Sequence, residues 1–214
     1  MYYLYLILLE RALMIPNKPI NKWGIIPKVF TEEQLLEYKN VFIKCKPEPA
    51  DKFSEAEHGI DINSFAYSWF MAKIWPTILE QFENKDIKLI YGMYASFKYP
   101  FKIHDDGYKT IPRNDSGNNY VSCLIPISVD NGKSSFGDVH TIILNEEHNP
   151  NAKEDYKKYF SHCESDQVEQ YTIDGICTWS LGDVIWWDSH KPHSSSNFTV
   201  NHASKECIVI HTYV

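Results

Sequence analysis

The triplet His104-Asp105-Asp106 places an imidazole and a carboxylate two positions apart. It closely follows a run rich in β-branched and aromatic residues, so we expect it just beyond the end of a strand. Side chains two residues apart on an extended chain point to the same face, which lets His104 and Asp106 converge on one metal ion. Alone the pair is a weak signal, because a second H-x-[DE] pattern occurs at His162 and Glu164.

A third candidate ligand follows a later aromatic run. The stretch that begins at the turn Gly182-Asp183 ends in a polar segment with two histidines, His190 and His193. Either histidine would complete a set of two imidazoles and one carboxylate. On a β scaffold, that facial triad leaves positions open on Fe(II) for a co-substrate and O₂. We predict His193 as the ligand and keep His190 as the alternative.

A cation for an anionic co-substrate lies twelve residues beyond His193. Lys205 opens the last strand-like run, whereas the two arginines of the chain, Arg11 and Arg113, both lie far upstream. A cation buried beside the metal is what a dicarboxylate such as 2-oxoglutarate requires for its distal carboxylate. Lys205 is therefore the predicted anchor.

Strands are predicted to position these residues from residue 87 onward. Six runs of β-branched and aromatic residues are separated by Gly, Asn and Asp clusters: 87–98, 119–129, 138–145, 170–179, 183–188 and 205–213. Six strands without long helices between them favour a closed or two-sheet, mainly β body over a parallel α/β sheet. Two long loops, 105–119 and 145–169, are typical of functional lids or disordered insertions.

Two helices are predicted before the strands. Thr31 and Gln34 form a capping box that starts a helix over 32–44. Asn63 can cap a second helix, which Pro76 should kink or restart.

We expect these helices to cover one face of the β body within a single domain over 1–214. Residues 1–86 would then be an N-terminal extension with supporting helices, and 87–214 the catalytic core.

The composition excludes several classes of protein. A net charge of −7 argues against a mainly electrostatic grip on nucleic acid or anionic lipid. Five cysteines without a C-x-x-C pair indicate free thiols and a reducing, cytoplasmic location. The apolar run over 2–9 is far shorter than the ~20 residues of a membrane helix, so no membrane partner is expected. The sequence predicts neither substrate identity nor oligomeric state.

In the order of its motifs the chain resembles the 2-oxoglutarate- and Fe(II)-dependent dioxygenases, specifically the prolyl-hydroxylase-like and phytanoyl-hydroxylase-like branches. The family pattern is a Tyr-bearing strand, H-x-D, a G-D turn, a distal His and then Arg or Lys. It is matched over about 87–214 by Tyr94, His104/Asp106, Gly182-Asp183, His193 and Lys205. The family often places an Arg nine to eleven residues after the distal His, where this chain has His202, Ala203 and Ser204.

The resemblance implies a double-stranded β-helix, also called a jelly roll, with Fe(II) held by His104, Asp106 and His193. It implies that 2-oxoglutarate places its distal carboxylate on Lys205 and a strand tyrosine, Tyr94 or Tyr120. The family uses O₂ to hydroxylate a C–H bond and releases succinate and CO₂. The implied substrate is an amino-acid side chain, in a peptide or free, or a small metabolite.

Further residues are assigned weaker roles. Trp186 or Trp187, with Phe97 and Tyr99, would exclude water, and Arg113 and Asp115 would contact substrate. The remaining histidines that we considered are expected to be structural or exposed: His140, His162, His202 and His211. Two other functions stay open, a cupin-like metal-dependent isomerase or epimerase and a non-catalytic jelly-roll binding module. Cupins usually carry an H-x-H motif on an early strand, and its absence from this chain argues against the cupin-like function.

Overall fold

The computed structural model of the protein describes residues 14–45, 54–59, 65–106, 120–130, 136–201 and 204–213, with the backbone alone for 54–59, 130, 136, 200 and 201. Arg113, Asp115, His202 and the predicted cap Asn63 lie outside the described residues. The strands are β1 Trp23–Ile26, β2 Ser54–Gly59, β3 Lys88–Phe97, β4 Tyr120–Asp130, β5 His140–Asn145, β6 Thr172–Thr178, β7 Val184–Asp188, β8 His193–Ser195 and β9 Ser204–Tyr213. The α-helices are α1 Glu32–Lys44, α2 Phe65–Lys73, α3 Trp75–Leu79, α4 Ala152–Asp155 and α5 Ser165–Val168, and a π-helix spans Tyr156–Phe160.

The strands form two antiparallel sheets. The larger has the order β1-β7-β4-β9-β3-β2, and the smaller has the order β6-β5-β8. All six predicted strands are present, and the mainly β prediction is confirmed. The three strands that sequence reasoning missed are β1, β2 and β8, which have four, six and three residues.

The first helix begins as its sequence dictates. The Thr31 side chain accepts a hydrogen bond from the Gln34 backbone N–H, and the Gln34 side chain accepts one from the Thr31 N–H. This reciprocal pair satisfies two donors that a helix start otherwise leaves open. Pro76 lies in the first turn of α3, so it restarts the helical path after α2, as expected.

Apolar side chains alternate between two cores on opposite faces of the larger sheet. The helices pack on one face, where Tyr38, Phe42 and Phe70 meet sheet residues such as Tyr94 and Ile208. The smaller sheet packs on the other face, and the side chains that fill this second core include Phe97, Leu124, Ile143, Trp179, Trp187 and Val209. No helix in the described part of the chain is long and apolar enough to cross a bilayer.

The Gly182-Asp183 turn ties the N-terminal segment to β7. Gly182 adopts φ 87°, and a Cβ atom there would lie 2.2 Å from the Phe30 carbonyl oxygen, so only glycine fits. The Gly182 carbonyl accepts a hydrogen bond from the Phe30 N–H at 3.0 Å, and Asp183 accepts one from the Lys28 N–H at 3.0 Å. The turn is therefore a structural joint that sets the start of β7.

Candidate active site

The two predicted ligand segments are held side by side by backbone hydrogen bonds. His104 and His193 form an antiparallel bridge in which each N–H donates to the other's carbonyl, at 3.0 and 2.8 Å. The Asp106 N–H donates to the Ser189 carbonyl at 2.9 Å. The site thus joins the segment after β3 to β8 and to the turn before it.

The side chains of His104, Asp106 and His193 converge. One potential ligand atom from each lies within 4.8 Å of the others. His193 Nε2 is 3.5 Å from Asp106 Oδ2, and His104 Nε2 is 3.9 Å from Asp106 Oδ1. This donor set, two imidazoles and one carboxylate, fits a non-heme Fe(II) ion.

Both imidazoles are oriented by their outer nitrogen. His104 Nδ1 lies 2.7 Å from the Lys102 carbonyl oxygen, and His193 Nδ1 lies 3.0 Å from that of Lys191. A carbonyl only accepts, so each Nδ1 carries the proton and each Nε2 keeps its lone pair for a metal. The same i−2 carbonyl contact occurs on both histidines and fixes the tautomer that a ligand needs.

The carboxylate remains ionised despite its depth. Burial would raise the pKa of Asp106, but the positive charge that His193, His211 and His104 carry when protonated, together with a hydrogen bond from Ser122, outweighs it and holds the pKa below its usual value. The Trp187 indole N–H also donates to Asp106 Oδ2 at 3.0 Å. A negative ligand is therefore present at neutral pH.

The metal-free protein is expected to lose stability as the pH falls below about 6.5. Burial lowers the pKa of His193 from 6.5 to about 4. The unfolded chain therefore takes up a proton that the folded chain excludes. This stability contribution is complete above the unfolded pKa and is lost as the pH falls towards about 4, at up to ~1.4 kcal/mol per pH unit for one proton.

Urea unfolding at several pH values measures this loss. His193→Asn should flatten the decline between pH 6.5 and 4 relative to the unsubstituted protein. Equal slopes for the two proteins would show that His193 does not carry the effect.

A cavity of about 190 Å³ opens on the triad. Its apolar walls include Met93, Phe97, Leu124 and Val209, and Trp187 also lines it, whereas Trp186 does not. Its polar lining beyond the triad comprises Thr141, Ser194, Ser195, Lys205 and His211. The volume lies below the roughly 300–1,000 Å³ of pockets for drug-sized ligands, so it suits a small molecule.

Lys205 supplies the cavity with a buried amine. The side chain is 3% exposed, and Nζ donates to Ser195 Oγ at 2.6 Å. Nζ also lies 4.6, 5.1 and 5.7 Å from the ring centroids of Trp179, Phe198 and Phe97. Burial lowers the pKa of Lys205 to about 8. Within the described ranges no carboxylate pairs with it, which leaves the amine ready for an anionic ligand.

Comparison with known proteins gives structural matches only. No family profile and no curated protein match the sequence. SnoN, a non-heme alpha ketoglutarate dependent epimerase from nogalamycin biosynthesis, aligns with a TM-score of 0.62 at 11% identity, over 96% of this chain and 83% of its own. SnoK, a carbocyclase of the same dependence and biosynthesis, aligns at 0.58 and 10% identity over 89% and 79%. HygX from Streptomyces hygroscopicus, solved with iron bound, aligns at 0.54 and 12% identity over 93% and 86%.

Alpha ketoglutarate is 2-oxoglutarate under another name. The chain has the fold of the 2-oxoglutarate-dependent iron oxygenases. At 10–12% identity the alignments establish this fold alone, so the chemistry rests on the residues of this chain.

The two predicted tyrosines lie away from the cavity. Tyr94 is 1% exposed and stacks on Phe42 at 5.2 Å, in the core beneath the helices. Its strand neighbours Met93 and Ala95 face the other core, because alternate residues of a strand point to opposite faces. Tyr120 packs against His190 and Tyr213, with ring centroids 5.7 and 5.6 Å away. The structure thus does not bring either tyrosine to Lys205.

His190 also lies outside the ligand group. Its Nδ1 is 3.4 Å from Asp188 Oδ1, and its backbone N–H donates to the same oxygen at 3.0 Å. His193 is the histidine that meets His104 and Asp106.

Sequence reasoning missed Ser195 and His211 as cavity residues. For His211 a signal existed. Lys205 and His211 are six positions apart on β9, so the period of two along a strand puts both on the same face. Ser195 becomes recognisable only when β8 of the smaller sheet is known to lie opposite β9 of the larger sheet, where Lys205 Nζ donates to Ser195 Oγ.

The segment over 145–169 supports the His104 segment from behind. Its side chains bind two alternate carbonyls just before His104: His162 Nε2 donates to Phe101 O at 2.9 Å, and Gln167 Nε2 donates to Ile103 O at 3.1 Å. Ile103 itself packs with Phe160, Cys163 and Val168. The segment, considered from sequence as a lid or a disordered insertion, is a packed layer that holds the His104 backbone.

Gln167→Ala is expected to weaken this support. The Ile103 carbonyl would lose its side-chain donor, at a cost of about 1 kcal/mol of unfolding free energy, and metal affinity should fall about 10-fold. Urea unfolding and Co(II) titration measure the two effects.

The matched control is Gln170→Ala in the same segment, whose amide caps the exposed Asp166 carbonyl at 3.2 Å. Equal effects of the two substitutions would contradict a specific role for Gln167.

Proposed function

We propose that this protein is an Fe(II)- and 2-oxoglutarate-dependent dioxygenase that hydroxylates a C–H bond of an amino-acid side chain, in a peptide or free, or of a small metabolite. The observation that carries the proposal is the joint presence, around one cavity, of the His104/Asp106/His193 group and a buried amine at Lys205. The overall reaction consumes substrate, O₂ and 2-oxoglutarate, and yields hydroxylated substrate, succinate and CO₂.

We also propose that the two sheets form a double-stranded β-helix. The distribution of the strands after residue 87 over two facing sheets supports this assignment. β3, β4, β7 and β9 belong to the larger sheet, and β5, β6 and β8 belong to the smaller one. The His104 segment pairs with β8 and so extends the smaller sheet. Such an arrangement would place the ligand triad between the two sheets.

Each residue has a proposed task. His104, Asp106 and His193 would hold the ferrous ion, which when bound supplies the redox chemistry for oxidative decarboxylation of 2-oxoglutarate and C–H oxidation. Lys205 would hold the distal carboxylate with Ser195, its hydrogen-bonding neighbour, in place of a tyrosine. Trp187 keeps water away from the carboxylate ligand while donating to it.

Decarboxylation of 2-oxoglutarate tests the proposal. The purified protein in air, with Fe(II) and 2-oxoglutarate, should form succinate and CO₂ slowly alone and faster with a true substrate. Folded protein that forms no succinate under any condition would contradict the proposal.

Screening amino acids, peptides and small metabolites by succinate formation then identifies the substrate. Mass spectrometry of the product distinguishes hydroxylation, which adds one oxygen atom, from oxidative ring closure, which removes two hydrogen atoms, and chiral analysis detects epimerisation, which leaves the mass unchanged. The last two outcomes are relevant because SnoK is a carbocyclase and SnoN an epimerase. HygX has been solved with hygromycin B, so an aminoglycoside belongs in the screen.

A further inference from the structure

His211 is a buried imidazole of the cavity to which the proposed chemistry gives no task. It is 6% exposed and lines the cavity together with the triad. It lies on the same face of β9 as Lys205, six residues further along, or roughly 20 Å at the usual strand rise. His211 therefore lies far along the strand from the proposed carboxylate anchor, while its imidazole interacts with Asp106.

A chain of buried polar groups links His211 to the backbone of Asp106. His211 Nδ1 lies 3.0 Å from Ser122 Oγ, and Ser122 Oγ lies 2.8 Å from Ser189 Oγ. The Ser189 carbonyl accepts the Asp106 N–H at 2.9 Å. Ser122 and Ser189 are 0% and 4% exposed, so no solvent competes for these hydrogen bonds. Three separate segments, β9, β4 and the turn after β7, thus meet at Asp106.

The His211 ring also lies beside an aromatic ring. Tyr91 stacks on it with ring centroids 6.3 Å apart and an interplanar angle of 16°. Nδ1 of an imidazole can donate to or accept from a hydroxyl group, so the His211 ring can end a chain of hydroxyl groups at Ser122.

We propose that His211 is a positioning residue that acts on Asp106 through Ser122 and Ser189. It keeps the Asp106 backbone against the turn that carries Ser189, so that the carboxylate faces His104 and His193. This inference rests on the proposed metal site. Groups that orient a metal ligand typically contribute about 10- to 100-fold to metal affinity.

Co(II) titration of the metal-free protein tests the inference without turnover. His211→Leu and Ser122→Ala should each weaken Co(II) binding about 10-fold or more. The double variant should be no weaker than the worse single variant, because both substitutions break one chain. His211→Asn should retain Co(II) binding. The asparagine amide can take the place of Nδ1 in the hydrogen bond to Ser122, although the other ring nitrogen is lost.

The outcomes separate the inference from the proposed function. Failure of the unsubstituted protein to bind Co(II), or equal binding by His104→Ala, would reject the metal site itself. A functional metal site with unchanged affinity in His211→Leu would overturn the inference alone, as would an His211→Asn variant as weak as His211→Leu. Urea unfolding of each metal-free variant, with His148→Ala as an exposed control, establishes that Ser122→Ala in particular is folded.

Discussion

Asp106→Ala is expected to abolish Fe(II) binding and 2-oxoglutarate turnover. Asp106 is the carboxylate of the group formed with His104 and His193, and it also accepts the Trp187 indole N–H. Its loss should weaken metal binding by more than ~100-fold, the upper range for groups that only orient a ligand. Metal titration and succinate formation measure the two effects.

Asp106→Asn is the matched variant. It retains an acceptor for Trp187 and the approximate shape of the side chain, but it removes the charge that Fe(II) requires. We expect it to be folded and to bind metal almost as weakly as Asp106→Ala. His190→Ala and His148→Ala should bind normally, and loss of metal from His190→Ala with retention in His193→Ala would show that the distal ligand is misassigned.

Lys205→Met is expected to raise the 2-oxoglutarate requirement while leaving Fe(II) binding intact. Removing the cation from a buried, hydrogen-bonded charge pair costs about 2–5 kcal/mol, which corresponds to a loss of affinity of roughly 30-fold or more. Methionine fills similar space among Phe97, Trp179 and Phe198. The KM for 2-oxoglutarate and the metal affinity, measured separately, give the result.

Although Lys205→Met should bind 2-oxoglutarate more weakly, its free energy of unfolding should not fall. The Lys205 amine is buried with Ser195 as its hydrogen-bonding partner, and its lowered pKa shows that burial disfavours the charged form. Lys205→Met should therefore be at least as stable as the unsubstituted protein in urea unfolding. Lys88→Met, at an exposed lysine, is the control. An unchanged 2-oxoglutarate KM in Lys205→Met would mean that another group anchors the distal carboxylate.

Much of the fold follows from local signals. The capping box at Thr31 and Gln34 and the alternating runs from residue 88 onward depend on neighbouring residues, and the structure contains both. His104 and Asp106 could be paired because the period of two on an extended chain needs no tertiary information. The expectation that a third ligand follows a later strand led to His193 with His190 as the alternative, and the structure brings His193 to His104 and Asp106.

The other features of the fold and of the site depend on tertiary contacts, which the spacing of residues in the sequence does not show. Tyr94 is of a residue type expected in the site, but it points to the face of β3 that the helices cover. The sequence does not show which face that is. The three-residue β8 is too short to produce a periodic pattern. The segment over 145–169 has a polar composition, yet a few buried side chains, among them Phe160, Cys163 and Val168, fasten it to the core.

Anaerobic titration with Fe(II) and 2-oxoglutarate tests the central claim most directly. Direct chelation of the ferrous ion by the keto acid, in a cavity that contains the triad and Lys205, should produce a visible metal-to-ligand charge-transfer band. We predict that the band forms with the unsubstituted protein and is absent with His104→Ala or Asp106→Ala. Folded, unsubstituted protein that gives no band would contradict the assignment of this cavity as a 2-oxoglutarate-dependent iron site.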